Sequence, residues 1–218
     1  MAKRTINYQR AITVLNKIFK AANEEYFNNE LPTPTITIQS TVTAYGHISV
    51  DKVWQTDEGN TSYELNVSAD YLNRPIEQLT ATMLHETAHL YNLEHGIKDT
   101  SNGYYHNKRF KKTAEEFCHL QIDCDTKYGW TVTSPTEETL DFVIRNGFED
   151  FLIHRETPFA FKGIGGTSGN TGAAGTPKTK PKGSNSIKWI CPKCGAIVRS
   201  TREVNILCGD CNEPFIKA

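Results

Sequence analysis

Residues 85–89 read His-Glu-Thr-Ala-His, and the interpretation of the whole chain starts from this stretch. On an α-helix, residues four apart lie on one face, so His85 and His89 could bind a single ion. Glu86 lies beside them and could act as a general base. A catalytic zinc site usually has three protein ligands and one water, whose pKa the metal lowers from near 16 to roughly 7. The motif predicts a zinc-dependent hydrolase, although two histidines on an exposed helix are often ordinary surface residues.

The residues around this motif predict a helix. Pro75 suits a first helical turn, and Glu77 favours the positive N-terminal end of a helix. Gly96 can cap the C-terminal end. The apolar residues of the inward face are Leu79, Met83 and Leu90. We expect this to be the second helix of the chain.

The region before the motif predicts one helix and three strands. Apolar residues at intervals of three and four predict a first helix from Thr5 to about Asn28. Three short runs with partial period-two alternation follow, and an antiparallel meander is the simplest arrangement for them. These runs are residues 35–39, 44–50 and 62–68.

Two further helices are expected after the motif. The third covers Asn107 to about Gln121, and the fourth begins at Ser134, where Ser134-Pro-Thr-Glu137 resembles a capping box. The predicted class is therefore α+β. Helices flank a small, mostly antiparallel sheet, and the second helix carries the HExxH motif.

A third metal ligand has two candidates. His95 fits the longer signature HExxHxxGxxH with Asn92 in the glycine position, but that signature belongs with a downstream methionine turn. No methionine follows His95 in this chain. His106 is the other candidate, since it would open a new helix after a glycine-containing loop. The residues alone leave both open.

The order of these features resembles a known family. HETAH is followed, after a short loop, by His106-x-x-x-Phe110, which is similar to the SprT-like, Spartan-type zinc metalloproteases. The resemblance covers roughly residues 5–121, including the Leu31-Pro32 step, and continues in the cysteine-rich tail. Many members have Gly directly after the third histidine, whereas this chain has Asn107.

The resemblance implies a minimal zincin-like domain with one catalytic Zn²⁺. The metal ligands and the general base that it implies are His85, His89, His106 and Glu86. A phenol close to the metal could also donate to an oxyanion, although packing is the simpler role for the tyrosines beside the third histidine, Tyr104 and Tyr105. No role is assigned to the remaining isolated histidines, His47, His119 and His154. Cys118 and Cys124 are expected to be small buried residues.

Four cysteines near the C-terminus predict a second metal site. Cys191-Pro-Lys-Cys194 and Cys208-Gly-Asp-Cys211 form two CxxC knuckles, and a short hairpin through residues 196–200 and 204–207 would connect them. Four thiolates complete a tetrahedral structural Zn²⁺ site. So short a module cannot build much core, so the metal would supply most of its folding free energy. Residues 187–218 are predicted to form a zinc ribbon.

Composition divides the chain into three parts. Residues 162–186 are rich in Gly, Ser, Thr, Pro and Lys and predict a flexible linker between a peptidase domain, residues 1–161, and the ribbon. No stretch approaches the roughly 18 apolar residues needed to cross a bilayer. Clustered cysteines at metal-ligand spacing favour a reducing cytosol, so we expect a cytoplasmic protein without a membrane partner.

Charge is distributed unevenly, which suggests a polyanionic partner. Residues 161–218 contain nine Lys or Arg against three Asp or Glu, although the whole chain has a net charge of −1. Basic residues of the tail that could contact phosphates, with Trp189 available to stack on a base, are Lys178, Lys180, Lys182, Lys188, Lys193, Arg199 and Arg202. A second basic stripe opens the predicted third helix: Lys108, Arg109, Lys111 and Lys112.

Three functional hypotheses follow. The resemblance implies an endopeptidase that cleaves proteins bound or crosslinked to DNA. The alternative from another class is a DNA-binding or regulatory adaptor in which the HExxH domain holds zinc without turnover. A third possibility is a peptidase of ordinary soluble proteins, whose rate and substrate choice would not respond to DNA.

Overall fold

The computed structural model describes residues 4–155 and 187–217, which form four α-helices and several small sheets. The helices are α1 (Tyr8–Phe27), α2 (Ile76–Glu94), α3 (Lys108–Glu116) and α4 (Glu137–Arg145). The strands are β1 (Arg4–Thr5), β2 (Thr35–Gln39), β3 (Gly46–Ile48), β4 (Trp54–Gln55), β5 (Thr61–Ser62), β6 (Glu64–Ser68), β7 (Thr100–Ser101), β8 (Tyr105–His106), β9 (Gln121–Asp125), β10 (Gly129–Ser134), β11 (Phe151–Leu152), β12 (Ile187–Ile190), β13 (Ile197–Ser200) and β14 (Ile216–Lys217). This composition confirms the α+β class.

Helix α2 lies at the centre of the body. At its N-terminus the backbone N–H of Ile76, which has no partner within the helix, donates to Asp150 Oδ1 at 2.8 Å. The helix ends at the C-cap His95, after which Gly96 adopts a φ of +63°. A helix that is buried on nearly every side belongs in a core, and five apolar residues of α2 are 0% exposed: Leu79, Met83, Leu84, Ala88 and Leu90.

Helix α1 packs against α2 and agrees with the predicted first helix. The side chain of Asn7 caps its N-terminus by accepting from Arg10 N at 2.9 Å. Asn28 ends it in the left-handed conformation, with a φ of 49°. The apolar face of α1 predicted from the sequence, with Leu15 and Ile18 at 0% exposure, is the face that enters the core.

The predicted meander is wrong in its strand order. Strand β6 lies between β2 and β3, and it pairs with β2 in parallel and with β3 antiparallel. Alternation along a strand shows which side chains share a face but not which strand is the neighbour. Six of the nine strand pairings are antiparallel, so the mostly antiparallel character holds across several small sheets within the described residues.

Helix α3 is shorter than predicted, and α4 begins later. The residues expected to continue α3 end it instead, because His119 adopts a φ of 52° and Leu120 N donates to Ala114 O at 3.1 Å. Strands β9 and β10, which the sequence did not predict, then form a hairpin. Ser134 belongs to β10, and the capping box of α4 is formed by Thr136 and Thr139 rather than by Ser134 and Glu137.

The cysteine-rich segment is a three-stranded sheet in the order β13-β12-β14. The predicted strand at residues 204–207 is wrong, because β13 pairs with β12, which precedes the first knuckle. The segment also contacts the body. Arg199 on β13 pairs with Glu77 at 3.1 Å and with Asp150, the two carboxylates at the start of α2. Thr201 hydrogen-bonds Glu137 on α4.

Two sequence predictions concern segments outside the described ranges. The predicted linker, residues 162–186, lies there, and so do three basic residues of the tail, Lys178, Lys180 and Lys182. Among the helices of the described segments, none has both the length and the apolar composition that crossing a bilayer requires.

Candidate metal centre

Helix α2 buries the three residues of the HETAH motif for which the sequence predicts a chemical role. His85, Glu86 and His89 are 5%, 2% and 8% exposed. The two imidazoles stand one turn apart, with ring centroids separated by 5.0 Å. Because they face the interior of the body, the reading of this motif as ordinary exposed surface does not apply.

A hairpin brings His106 to the same place. Strands β7 and β8 form it, and the His106 ring lies 5.2 Å from the ring of His85 and 4.9 Å from that of His89. One potential ligand atom from each of the three histidines lies within 4.8 Å of those from the other two. The structure therefore brings His106 together with the HETAH histidines.

His95 is not part of this cluster. It lies exposed at the end of α2, where its ring stacks on Tyr91 with centroids 3.9 Å apart. Its Nδ1 also contacts Tyr91 O at 2.8 Å. Tyr104 and Tyr105 are 42% and 37% exposed on the hairpin that carries His106.

Two neighbouring side chains orient the HETAH imidazoles. Asp99 Oδ2 contacts His89 Nδ1 at 2.6 Å, and Thr133 Oγ1 contacts His85 Nδ1 at 2.7 Å. A carboxylate can only accept, so His89 Nδ1 is a donor, which leaves Nε2 of the neutral ring with its lone pair. The Thr133 hydroxyl also contacts Thr131 O at 3.2 Å, and by donating there it can accept from His85 Nδ1 in the tautomer that leaves the lone pair on His85 Nε2.

The unpaired nitrogens of the cluster fit a metal ion. His85 Nε2 and His106 Nδ1 are buried and have no hydrogen-bond partner among the described residues. Such buried polar atoms are rare in folded proteins, and an absent ion is a standard explanation for them. Imidazole nitrogens are ligands that Zn²⁺ prefers, so the donor set agrees with that metal.

Burial sets the charge of the three histidines. It lowers the pKa of His85 well below its ordinary value, with His89 and His106 adding to the effect, and it lowers the pKa of His106 to about 3. Burial also opposes charge on His89, but Asp99 and Glu86 outweigh it and raise the pKa of that imidazole. At neutral pH His85 and His106 are therefore uncharged, as metal ligands must be.

Glu86 is held against strand β3. Burial raises the pKa of its carboxyl to about 7, against the opposing effects of His89 and of the backbone N–H of Ile48. Gly46 on the same strand gives it room, since a Cβ at Gly46 would lie 3.2 Å from Glu86 Oε1 and 2.9 Å from Asn66 O. A carboxylate with a pKa near neutrality can accept and return a proton.

Several residues of the site were missed in the sequence analysis. Gly129 pairs with His106 across β10 and β8 and has a φ of +74°, and a Cβ there would collide with His106 O. Asp99, Thr133 and Gly46 also lacked a predicted role. None of them belongs to a spaced motif, because their roles arise from strand pairing and loop placement.

Asn107 occupies the position at which many SprT-like proteins have glycine. Its backbone is extended, with φ −95° and ψ −178°, so no glycine is required. Its side chain accepts from Arg109 N at 2.7 Å, which caps α3, and donates to Lys98 O at 2.9 Å. The residue therefore joins the start of α3 to the loop that carries Asp99.

The four tail cysteines also converge. Their sulfurs lie within 4.8 Å of one another, and Cys191 and Cys208 are 1% and 4% exposed. Each knuckle is closed by a backbone hydrogen bond, and Gly195 and Asn212 follow the knuckles with positive φ. Backbone N–H groups lower the pKa of the Cys191 thiol to about 7, whereas hydrogen bonding to Cys194 raises that of Cys211 to about 12. The two remaining cysteines differ: Cys118 is buried as predicted, but Cys124 is exposed, so that prediction was wrong.

The basic stripe on α3 is partly paired with acidic residues. Lys111 lies 3.2 Å from Glu115 and Lys112 lies 3.9 Å from Glu116. Lys111 also lies over the ring of Trp130, 4.1 Å from its centroid. These residues, with Lys108, line a groove of about 420 Å³.

Comparison with known proteins adds one match. The model of the SprT-like family matches residues 15–132, a range that includes α2, the β7–β8 hairpin and α3. No curated protein and no solved structure matches the chain.

Proposed function

This chain belongs to the SprT-like family, and from that membership we propose that it is a zinc-dependent endopeptidase acting on proteins bound or crosslinked to DNA. We assign the catalytic Zn²⁺ to His85, His89 and His106, and the general base to Glu86. The domain that carries them is zincin-like. The four cysteines of residues 187–217 would hold a second, structural Zn²⁺.

One observation carries the proposal. Three buried imidazoles converge within 4.8 Å beside a buried carboxylate, and two of their nitrogens lack any partner among the described residues. Three protein ligands leave one tetrahedral position open, as catalytic zinc sites do and closed structural sites do not. Zinc bound there would supply a Lewis acid that polarises a carbonyl and acidifies a water.

Glu86 has the environment that a general base needs. Burial raises its pKa to about 7, so near neutral pH the carboxylate can take the proton of the attacking water and pass it to the leaving amine. Its contact with the backbone N–H of Ile48 fixes its position. Asp99 and Thr133 hold the imidazoles of His89 and His85, so no large rearrangement has to precede the reaction.

DNA association is supported by charge alone. Lysine and arginine residues are clustered on the α3 stripe of the body and in the C-terminal tail. Their positive side chains can neutralise DNA phosphates. Two lysines of the stripe, Lys111 and Lys112, form ion pairs with Glu115 and Glu116. In the tail, Arg199 forms ion pairs with Glu77 and Asp150. The cations that remain for phosphate on the stripe are chiefly Lys108 and Arg109.

Replacement of Glu86 by Gln tests the peptidase. We expect hydrolysis of an unfolded protein substrate to fall by about 100-fold or more, with zinc content unchanged, because only the proton acceptor is lost. Glu94→Gln is the matched control, since it makes the same change at an exposed position of the same helix. Undiminished hydrolysis by Glu86→Gln would remove the assignment. Zinc and DNA binding without any hydrolysis by the wild type would favour the adaptor.

The DNA component has its own test. Hydrolysis of a protein crosslinked to DNA is compared with hydrolysis of the same protein free in solution, at two salt concentrations. The proposal predicts faster cleavage of the crosslinked substrate and a weaker preference at high salt. Equal rates at both salt concentrations would favour a peptidase of ordinary soluble proteins.

A further inference from the structure

A buried chain of hydrogen bonds runs behind His89. Asp99 Oδ2 contacts His89 Nδ1 at 2.6 Å and accepts from Asn92 Nδ2 at 2.9 Å. Asn92 Oδ1 in turn accepts from Thr113 Oγ1 at 2.7 Å. All four residues of this network, His89, Asp99, Asn92 and Thr113, are buried, with exposures between 0% and 8%. The chain connects α3 to the metal centre through two residues to which sequence analysis gave no role in metal binding.

The direction of every bond in this chain is determined. The Asp99 carboxylate can only accept, so both His89 Nδ1 and Asn92 Nδ2 donate to it. With its NH₂ group on the carboxylate, the Asn92 amide must present its oxygen to Thr113. A rotated amide would place its oxygen against Asp99 and its NH₂ group against Thr113. The carboxylate therefore fixes the amide orientation, and the Thr113 hydroxyl, which also approaches Arg109 O at 3.2 Å, supplies the donor that the Asn92 oxygen requires.

Asp99 needs such support because it lies in a loop between α2 and β7. The loop is tied to α2 where Ile97 N donates to Asn92 O at 2.8 Å. It is tied to the third histidine where Asn107 N, next to His106, donates to Asp99 O at 2.9 Å. Asp99 therefore contacts His89 through its side chain and the neighbour of His106 through its backbone.

We propose that Asn92 and Thr113 are positioning residues of the metal centre. They act through Asp99, holding its carboxylate where it keeps the proton on His89 Nδ1 and presents Nε2 to the ion. This inference rests on the proposed function in one respect, the role of His89 as a metal ligand. Asn92 therefore serves the site as a support for Asp99, although it occupies the glycine position of a different zinc signature.

Thr113→Val is the test, because it removes the hydroxyl while nearly preserving shape. Thr87→Val is its matched control. Both threonines are buried and approach the carbonyl four residues earlier, Thr113 that of Arg109 at 3.2 Å and Thr87 that of Met83 at 2.7 Å. Only Thr113 also contacts Asn92, so the difference between the two variants isolates that bond. Thr113→Ser restores the hydroxyl.

Zinc affinity is measured by chelator competition on the full chain, and the His89→Ala chain reports the zinc held by the ribbon. We expect Thr113→Val to weaken zinc binding at the histidines by about 10-fold, the effect typical of an outer-shell partner. Thr113→Ser and Thr87→Val should bind as the wild type does. In NMR spectra of the zinc-loaded chain, the His89 Nδ1–H signal should persist in these two variants and broaden in Thr113→Val.

Equal zinc affinities for Thr113→Val and Thr87→Val would overturn the inference. That result leaves the proposed function intact, whereas a wild-type chain that binds only the ribbon zinc would overturn the proposed function itself. If Thr113→Val does not fold, Asn92→Leu is tested instead, because it removes the other partner of the same hydrogen bond. Zinc affinity at the histidines should again fall by about 10-fold, and an affinity equal to that of Thr87→Val would overturn the inference.

Discussion

The two clusters of candidate metal ligands in this chain are built in opposite ways. The three histidines belong to elements of a large core, to which α2 alone contributes five apolar residues at 0% exposure. In residues 187–217 the buried hydrophobic residues are Cys191 and Cys208, which are themselves candidate ligands. Apolar burial can therefore hold the histidine cluster together without a metal, whereas the cysteine cluster has little else to hold it.

Removal of zinc should produce the largest difference in folding between the two regions. With a chelator, residues 187–217 should unfold, because zinc supplies on the order of 10 kcal/mol to such modules. Helix α2 should stay folded. Hydrogen exchange measured by mass spectrometry checks both expectations at once. Protection that persists in residues 187–217 without zinc, or that is lost in α2 beyond its first turn, would contradict the comparison.

Gly129→Ala tests whether the histidine cluster depends on backbone fit. A Cβ at Gly129 would collide with His106 O, so we expect a loss of about 4 kcal/mol in the free energy of unfolding, or displacement of β8. Gly103→Ala is the matched control: it has the same φ of +74°, but nothing lies within 4 Å of the added Cβ. The control should lose only about 1 kcal/mol. Thermal melts of both variants measure the two losses of stability. Equal losses would show that the close approach of Gly129 to His106 is not what makes the glycine necessary.

Arg199→Ala tests the contact between the regions. The side chain is 15% exposed and its partner Glu77 is fully buried, so the substitution removes a cation from beside a buried carboxylate. We expect a loss of about 3 kcal/mol from the body, with greater exchange in the first turn of α2. Arg202→Ala, at an exposed position of the same segment, should change neither quantity. No difference between the two variants would mean that the ribbon does not stabilise α2.

Acidification should weaken zinc binding more at the cysteines than at the histidines. The pKa values of Cys194 and Cys211 are raised, so both thiols must release a proton when zinc binds. The pKa values of His85 and His106 are lowered, so these ligands are already uncharged and only His89 competes with protons. Between pH 7.5 and 6.5, roughly, the affinity should fall at least about 100-fold at the cysteines, because Cys191, with a pKa of about 7, also takes up a proton in this range, and at most about 10-fold at the histidines. Chelator titrations at both pH values measure the zinc affinity of each cluster. An equal fall in affinity at the cysteines and at the histidines would contradict the prediction.

The sequence predicted those parts of the fold that local patterns encode. Helices α1 and α2 follow from apolar spacing and capping residues, and the knuckles follow from CxxC spacing. The end of α3 was missed because His119, rather than a glycine, adopts the left-handed conformation there, so no sequence signal marked the stop. The parallel pairing of β2 with β6 was missed because alternation does not identify a neighbour.

The same limit applies to the metal centre. His85, Glu86 and His89 lie within one helical turn, which a sequence motif can express. Asp99, Thr133 and Gly46 reach the site from a loop and two strands, and their roles depend on contacts between residues distant in sequence. Arg199 was read as a phosphate contact because its carboxylate partners are more than forty residues away along the chain.

The most direct test of the account is a crystal structure of the zinc-loaded chain with anomalous scattering measured at the zinc edge. Two peaks are expected. One lies about 2.0 to 2.1 Å from nitrogens of His85, His89 and His106 with solvent in the fourth position, and the other lies about 2.3 Å from four sulfurs. Absence of the first peak, or a peak there that His106 does not contact, would contradict the assignment of a catalytic metal.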